Sequence, residues 1–178
     1  TILTGADLTD SNLSGADLST ANIFGIIDGI NVLEKTKLKG ANLTNANLTN
    51  INLIGVDISE TILKGADLTG VKLERVKANN AHWNDVDLSF KNLSKIRLVD
   101  SNLSRTIFAG ADLSNAKLMG ANLTDSDLTG VKLVDANLAG ATLTGANFHM
   151  ADLTGANLEG AIISETNLSC IGHEICAS

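Results

Sequence analysis

The residues best suited to chemistry lie near the end of the chain, where Cys170, His173 and Cys176 follow a C-x2-H-x2-C spacing. Thiolate and imidazole groups bind metal ions, but no fourth ligand stands nearby. On one unbroken helix the two cysteine Cα atoms would lie about 9 Å apart, too far for a disulfide, so a bridge requires a bend, which Gly172 would provide. We expect a disulfide, with free thiols and a metal site as the alternatives.

The other residues of the chain do not support catalysis. His82 and His149 fall at positions that we expect to face solvent, and neither stands with a serine and an aspartate at a spacing typical of a nucleophilic triad. No GKS or GKT follows a glycine-rich loop, so no phosphate-binding loop is indicated. We therefore expect no enzyme and no cofactor. The alternative is an enzyme that uses the thiols of Cys170 and Cys176 together with His173.

The leucines indicate the fold that positions all of these side chains. All 26 are separated by multiples of five residues, at positions 3, 8, 13 and onward. A five-residue step would turn an α-helix by about 500°, and a strand would send successive leucines to opposite faces. The chain must therefore turn a corner every five residues. If each corner is about 90°, four such units close a square coil of about 20 residues, with the leucines inside.

The other positions of the five-residue unit fit this coil. A small residue, Ala or a larger Val, stands two residues before the leucine at a second inward position. Asn or Asp precedes the leucine and Thr or Ser follows it, and we expect the Asn and Asp side chains to stack in polar ladders between coils. Of 16 glycines, 14 occupy the fifth position, where a tight turn favours positive φ. The absence of proline predicts that almost every backbone N–H is needed.

These units, which read GADLT, GANLT and GADLS, resemble the pentapeptide-repeat family and its motif A(D/N)LXX. The resemblance covers residues 1 to about 169 and implies an all-β solenoid, a right-handed quadrilateral β-helix of about eight coils. With coils about 4.8 Å apart, the rod would be about 40 Å long. We expect one domain over residues 1–169, interrupted near residues 26–35, and a short cap over residues 170–178.

The first interruption replaces the repeat with FGIIDGINVLEKTK, in which Asp28 would be an unpaired carboxylate at an inward position. We expect about ten residues, 26–35, to loop out, because the five-residue register resumes intact at Thr36. The loop is more apolar than a loop that only connects two coils, and it is therefore a candidate partner contact. The alternative is that it folds back on its own coil. Its apolar residues are Ile26, Ile27, Ile30, Val32 and Leu33.

The second interruption places Ala78 and Trp83 at consecutive central positions of one coil. A small residue beside a large one indicates volume compensation inside the core. We therefore expect Trp83 to be buried rather than an exposed binding residue. Phe108 and Phe148 also fall at central positions and are expected in the core.

Residues 20 apart should be neighbours on one face, so the charged side chains of this chain, whose net charge is −7, should form rows along the coil. Lys77, Arg97 and Lys117 form a basic row, with Val99 and Met119 beside it as exposed apolar groups. Asp67, Asp87, Ile107 and Asp127 form a row on the opposite face. The basic row with its apolar neighbours is a candidate partner face. The alternative is that the charged residues of both rows only keep the protein soluble.

These features favour a non-catalytic scaffold that binds an unidentified protein partner, as a monomer or an end-to-end dimer. Overall charge disfavours a nucleic-acid partner, and no apolar run is long enough to span a membrane. The resemblance implies the alternative, a DNA-mimic inhibitor of DNA gyrase or another topoisomerase, although the nearly uniform leucines are more similar to cyanobacterial and plastid members. A removed leader together with a disulfide would imply the periplasm or the thylakoid lumen, with the cytoplasm as the alternative.

Overall fold

The computed structural model describes residues 6–18, 25–27, 30–32 and 36–176. Along the repeat, each five-residue unit contributes one residue to a parallel β-bridge and then turns. Beyond the interruption, bridge partners lie 20 residues apart, as in the pairs Lys77 with Arg97 and Arg97 with Lys117, except that the last bridge joins Asp152 to Ile171. Twenty residues are four units, so the chain winds as a four-sided coil, as the leucine spacing predicts.

Every backbone N–H of a regular unit has an acceptor. The first residue donates to the preceding turn, the second, third and fifth donate to neighbouring coils, and the fourth donates to the side chain of the second. Proline lacks this donor, which explains why the repeat excludes it. In residues 136–140 the bonds are Ala136 N to Leu133 O (2.9 Å), Asn137 N to Ala116 O (2.9 Å), Leu138 N to Asn157 O (2.7 Å), Ala139 N to Asn137 Oδ1 (3.0 Å) and Gly140 N to Glu159 O (2.8 Å).

The bond from the fourth residue also explains why Asn or Asp precedes the leucine. Asn122 Oδ1, for example, accepts the backbone N–H of Thr124 at 3.1 Å and its hydroxyl at 2.6 Å. These short side chains close an Asx turn within their own unit. The expected polar ladders are present, because residues at this position are bridge partners on adjacent coils, as Asn102 and Asn122 are, and some bond each other, as Asn167 Nδ2 does with Asn147 Oδ1 at 2.8 Å.

Leucine and small residues fill the interior of the coil. The central leucines from Leu88 to Leu153 are buried, as are the alanines two positions before them. Burial of each leucine stabilises the fold by roughly 1.5–3 kcal/mol. Trp83, Phe108 and Phe148 are fully buried, which confirms that these rings belong to the core.

The interrupted segment leaves the coil as a hairpin. β1 (Gly25–Ile27) and β2 (Ile30–Val32) pair antiparallel, with Ile26 opposite Asn31. Across this segment the parallel bridges join residues 30 apart, as in Asp7 with Lys37, instead of 20 apart. The difference of ten residues is the length of the excursion near residues 26–35. In the candidate partner loop, Asp28 and Leu33 lie outside the described residues. For Ile26, Ile27, Ile30 and Val32 the structure describes the backbone but not the side chains.

Among the residues that the structure describes, no helix has the length and apolar character needed to cross a membrane.

Candidate functional site

The terminal cysteines are joined to each other. Cys170 and Cys176 form a disulfide with their Cα atoms 5.0 Å apart. Cys170 is buried against the last coil. His173 is committed to the same turn, since its Nδ1 accepts the N–H of Ile175 at 3.2 Å. The disulfide sulfurs are not thiolates, so the pair supplies neither metal ligands nor a nucleophile while it is oxidised.

Gly172 makes this bend possible. Its φ is +83°, a conformation that L side chains rarely adopt. A Cβ at this position would also lie 2.7 Å from the backbone N of Thr154 and 2.9 Å from its Cα. The terminal segment therefore folds closely over the coil below it because residue 172 has no side chain.

The histidines outside the terminal segment belong to no metal-binding cluster within the described ranges. His82 and His149 are exposed, which confirms their predicted outward positions. Over residues 6–18 and 36–176, no three His, Cys, Asp or Glu side chains come together as a metal site would require.

The basic row lies on one face, which we call the basic face and define by Lys77, Arg97 and Lys117. All three side chains are exposed, and consecutive members are bridge partners. Lys77 Nζ also lies 2.6 Å from Asp57 Oδ2. Partial burial of Asp57 opposes ionisation, but hydrogen bonds from Lys77 and Ser59 outweigh it and lower the pKa of that carboxyl.

The expected apolar neighbours of this row are not exposed. Val99 and Met119 are both half-buried. The expectation that they form an exposed apolar patch was therefore wrong.

Exposed apolar side chains lie instead on the opposite face, which we call the acidic face and define by Asp67, Asp87, Ile107 and Asp127. Ile107 is 41% exposed. Phe90 and Met150, at the corner that ends this face, are 83% and 69% exposed. The sequence carried a signal for both, because each replaces a residue of the fifth position, which is usually Gly, Asn or Asp.

Phe90 and Met150 also adopt a strained backbone conformation. Their φ angles are +57° and +58°, in the left-handed region that disfavours bulky side chains. A ring with so little burial gains little that offsets this strain. Phe90 lies over Gly110, where an added Cβ would come within 2.7 Å of the ring. The repeat imposes this conformation on its fifth position, where Arg75 and Lys95 also adopt it, so Phe90 and Met150 are distinguished only by being large, apolar and exposed.

The β-ladder opens beside Phe90. Residues 65–73 of one coil face residues 84–92 of the next, and we call the space between them the cleft. Bridges join Asn47 to Asp67 and Asp87 to Ile107, yet within residues 36–176 none joins Asp67 to Asp87. The ladder bonds that the repeat pattern requires but that do not form here include Leu68 N to Asp87 O, Gly70 N to Ser89 O and Asp87 N to Ala66 O.

Two residues that are unusual in the repeat lie beside the opening. The indole of Trp83 is larger than the leucine that the repeat places there, and its Nε1 donates to Thr61 Oγ1 of the neighbouring coil at 3.2 Å. Lys91 occupies an inward position that elsewhere holds Ala, Val, Ile, Ser or Thr, and its Nζ reaches the Leu68 carbonyl at 2.8 Å. We attribute the opening to the larger volume of these two side chains.

The cleft has a volume of about 290 Å³. Its polar side chains are Asp67, Thr69, Asp87, Ser89 and Lys91. The pKa of Asp67 is lowered chiefly by the hydrogen bond from the Thr69 backbone, and that of Asp87 by the bond from Ser89. Both carboxylates are therefore ionised, and they line the cleft from neighbouring coils.

No curated protein sequence matches this chain. Among solved structures, it is similar to HetL, a pentapeptide repeat protein involved in heterocyst differentiation regulation from the cyanobacterium Nostoc sp. strain PCC 7120. The identity is 29% over 97% of this chain and 76% of that one, with a TM-score of 0.49. Rfr23, a pentapeptide repeat protein from the cyanobacterium Cyanothece 51142, is 31% identical over 71% of this chain and 91% of its own, with a TM-score of 0.44.

QnrB1, a plasmid-mediated fluoroquinolone resistance protein, has a TM-score of 0.50 at 15% identity over 93% of this chain and 90% of its own. At that identity the likeness concerns the fold alone. The family model for pentapeptide repeats matches eight copies, in overlapping segments over residues 1–25 and 36–169. The family and the fold together imply that the four-sided coil is a right-handed quadrilateral β-helix. The chain belongs to the pentapeptide repeat family.

Proposed function

We propose that the chain is a non-catalytic scaffold for protein–protein interaction. The hairpin β1–β2 carries the proposal, because the chain leaves the coil there and the parallel pairing resumes in register. A two-stranded hairpin is marginally stable alone, and its residues include Ile26, Ile27 and Ile30. An apolar excursion that the coil does not need favours a partner contact, with packing against its own coil as the alternative.

Deletion of residues 26–35 tests this role. Because the excursion is ten residues long, its removal restores the 20-residue spacing, and we expect an unchanged circular dichroism spectrum and melting temperature. Parent and deletion variant are used as bait in an extract of the source cells, and the deletion should lose the captured protein. The matched control replaces Lys117 by Ala, which alters the basic face and leaves the hairpin intact. Capture that survives the deletion would exclude the hairpin as the contact.

The basic face of Lys77, Arg97 and Lys117 is a second candidate contact, for an acidic partner. Its support is the exposure of three stacked cations. Val99 and Met119 add little contact area because they are half-buried. Loss of capture in Lys117→Ala, with capture retained in the hairpin deletion, would assign the interaction to this face.

The alternative function is a DNA-mimic inhibitor of a topoisomerase. The fold shared with QnrB1 supports it, but the basic face interrupts the continuous acidic surface that a DNA mimic requires. A gyrase supercoiling assay separates the two functions. The scaffold proposal predicts no inhibition at micromolar protein, and inhibition would favour the DNA mimic.

For the whole chain, we infer about eight coils over residues 1–169, closed by a cap over residues 170–178. Bridges that continue from Asp7 to Ile171 and the terminal disulfide support this architecture. Small-angle scattering should give a rod about 40 Å long for a monomer and about twice that length for an end-to-end dimer.

The disulfide also supports an oxidising compartment, either the periplasm or the thylakoid lumen. Alkylation of thiols in intact cells before lysis tests this placement. A protected pair is expected, and two free thiols would favour the cytoplasm.

A further inference from the structure

We propose that the cleft between residues 65–73 and 84–92 binds an extended segment of a partner protein that carries a lysine or arginine beside an apolar residue. The proposal rests on the scaffold function and names the chemistry of its partner. It follows from the open ladder, the charges that line it and the exposed ring of Phe90.

The backbone of the cleft offers both kinds of hydrogen-bonding group. The N–H groups of Leu68, Gly70 and Asp87 have no acceptor within the described residues, and the carbonyls of Asp87 and Ser89 do not receive the ladder bonds that the repeat provides elsewhere. Another extended chain presents donors and acceptors in alternation, as a strand does when it adds to a sheet. A peptide therefore matches this backbone better than an ion does.

The side chains select a positive charge. Asp67 and Asp87 lie on adjacent coils and form no ion pair among the described residues, since the only nearby ammonium, Lys91, donates to the Leu68 carbonyl. Glu74, just beyond the open segment, adds a further carboxylate and accepts a bond from Asn92 through Oε1.

Phe90 supplies the apolar contact. Phe90 stands in the chain between Ser89 and Lys91, which line the cleft, and its ring is 83% exposed over Gly110 of the following coil. Exposed rings of this kind anchor peptide segments, because they bury large apolar area at little entropic cost. A segment that leaves the cleft past Ser89 would therefore meet this ring.

Titration of the ¹⁵N-labelled full chain with a pool of capped octapeptides, in which Lys or Arg alternates with apolar residues, tests the proposal. We expect saturable shifts at the amides of Leu68, Gly70 and Asp87. A matched pool with Glu in place of each Lys or Arg should bind at least about tenfold more weakly.

Variants locate the binding. Asp87→Asn with Phe90→Asn should weaken binding by about tenfold or more, because it removes one carboxylate and the ring while Asn tolerates positive φ. The matched control, Asp127→Asn with Met150→Asn, makes the same changes on the same face at a closed part of the ladder and should leave binding unchanged. Asp87→Asn alone provides a second variant if the double one folds poorly.

Three results would overturn the cleft proposal: no saturable shift with the basic pool, equal binding of the acidic pool, or binding that survives the Asp87 and Phe90 changes. Shifts confined to the basic face or the hairpin would also reject the cleft while leaving the scaffold function in place. The scaffold function fails separately, when no protein is captured in the extract experiment.

Discussion

At the scale of the residue, the repeat is determined by the acceptor that each backbone N–H finds. Asn or Asp before the leucine is required by the donor two residues on, and the fifth residue must accept positive φ, as Gly120 does at +65° and Asp100 at +54°. A residue that departs from these rules therefore lowers the stability of the fold at its own position. Phe90 and Met150 are the bulky examples on the acidic face.

The strain at Phe90 gives the first prediction. Phe90→Asn should raise the free energy of unfolding by about 1 kcal/mol, because Asn tolerates the left-handed conformation and the exposed ring loses little packing. Urea denaturation followed by Trp83 fluorescence measures this change. Met150→Asn should act in the same direction. A loss of stability in Phe90→Asn would mean that the ring's contact with Gly110 outweighs the strain.

A second prediction concerns acid. The hydrogen bonds from Arg105, at 2.6 and 2.8 Å, and from Asn84 lower the pKa of Asp85 to about 2, from 3.8. Because the pKa is lower in the folded state, this stabilisation is present above about pH 4 and is lost as the pH falls towards 2. Asp85→Asn should therefore make the fall in melting temperature between pH 5 and pH 2 shallower.

Arg105→Gln is the matched change for this pair and should flatten the same acid limb, although less, since Asn84 remains. High salt should reduce both effects because the pair is solvent-exposed. An acid limb identical to that of the parent would show that the pair contributes nothing to the pH dependence.

At the scale of the element, the chain departs from a uniform coil in the hairpin and in the cleft. The five-residue register on both sides of the first interruption predicts that whole units leave the coil, but it does not predict that β1 and β2 pair antiparallel. The cleft was not predictable from the repeat. It depends on how the Trp83 indole and the Lys91 stem fill space against the neighbouring coil, which a list of inward positions does not give.

Some features of the surface could also be predicted from the sequence, and others could not. Opposite basic and acidic rows follow from the 20-residue spacing and were predictable. The expected exposure of Val99 and Met119 was wrong, since both are half-buried. Phe90 and Met150 lie at the fifth position, outside the central class of the leucines, so the leucine spacing does not give their exposure. The disulfide stayed one of three options, since sequence spacing does not give the distance across a bend.

The origin of the cleft gives the third prediction. Trp83→Leu with Lys91→Ala restores the residues that the repeat places at both positions, so the ladder should close. Hydrogen exchange should then slow at the amides of Leu68, Gly70 and Asp87 relative to the parent. The control Phe108→Leu removes a ring where the ladder is already closed and should not protect them. Unchanged exchange would instead assign the opening to repulsion between Asp67 and Asp87.

At the scale of the whole molecule, each coil contacts only its neighbours, so stability is a sum of local terms along the rod. A change at one end should therefore be felt over the adjacent coils and fade beyond them. The bonds nearest the cap are Leu153 N to Ile171 O and Ile171 N to Ala151 O, both 2.9 Å.

The disulfide gives the fourth prediction. Replacing Cys170 and Cys176 by Ser should destabilise the C-terminal end by about 2 kcal/mol, as expected for a short closed loop. Exchange should accelerate at Leu153 and Ile171 but not at Leu103 or Leu123, several coils away. Uniform acceleration along the rod would contradict local stability and indicate one cooperative unit.

The central claim is that outward surfaces of a closed β-helix bind a protein, and a photo-crosslinking scan in the source cells tests it most directly. The crosslinking residue is placed at position 30 on the hairpin, 90 beside the cleft, 97 on the basic face, and 142 on a face with no proposed contact. The account predicts a discrete crosslinked protein at one or more of the first three positions and none at 142. No crosslinked protein at any position, or equal crosslinking at all four, would contradict it.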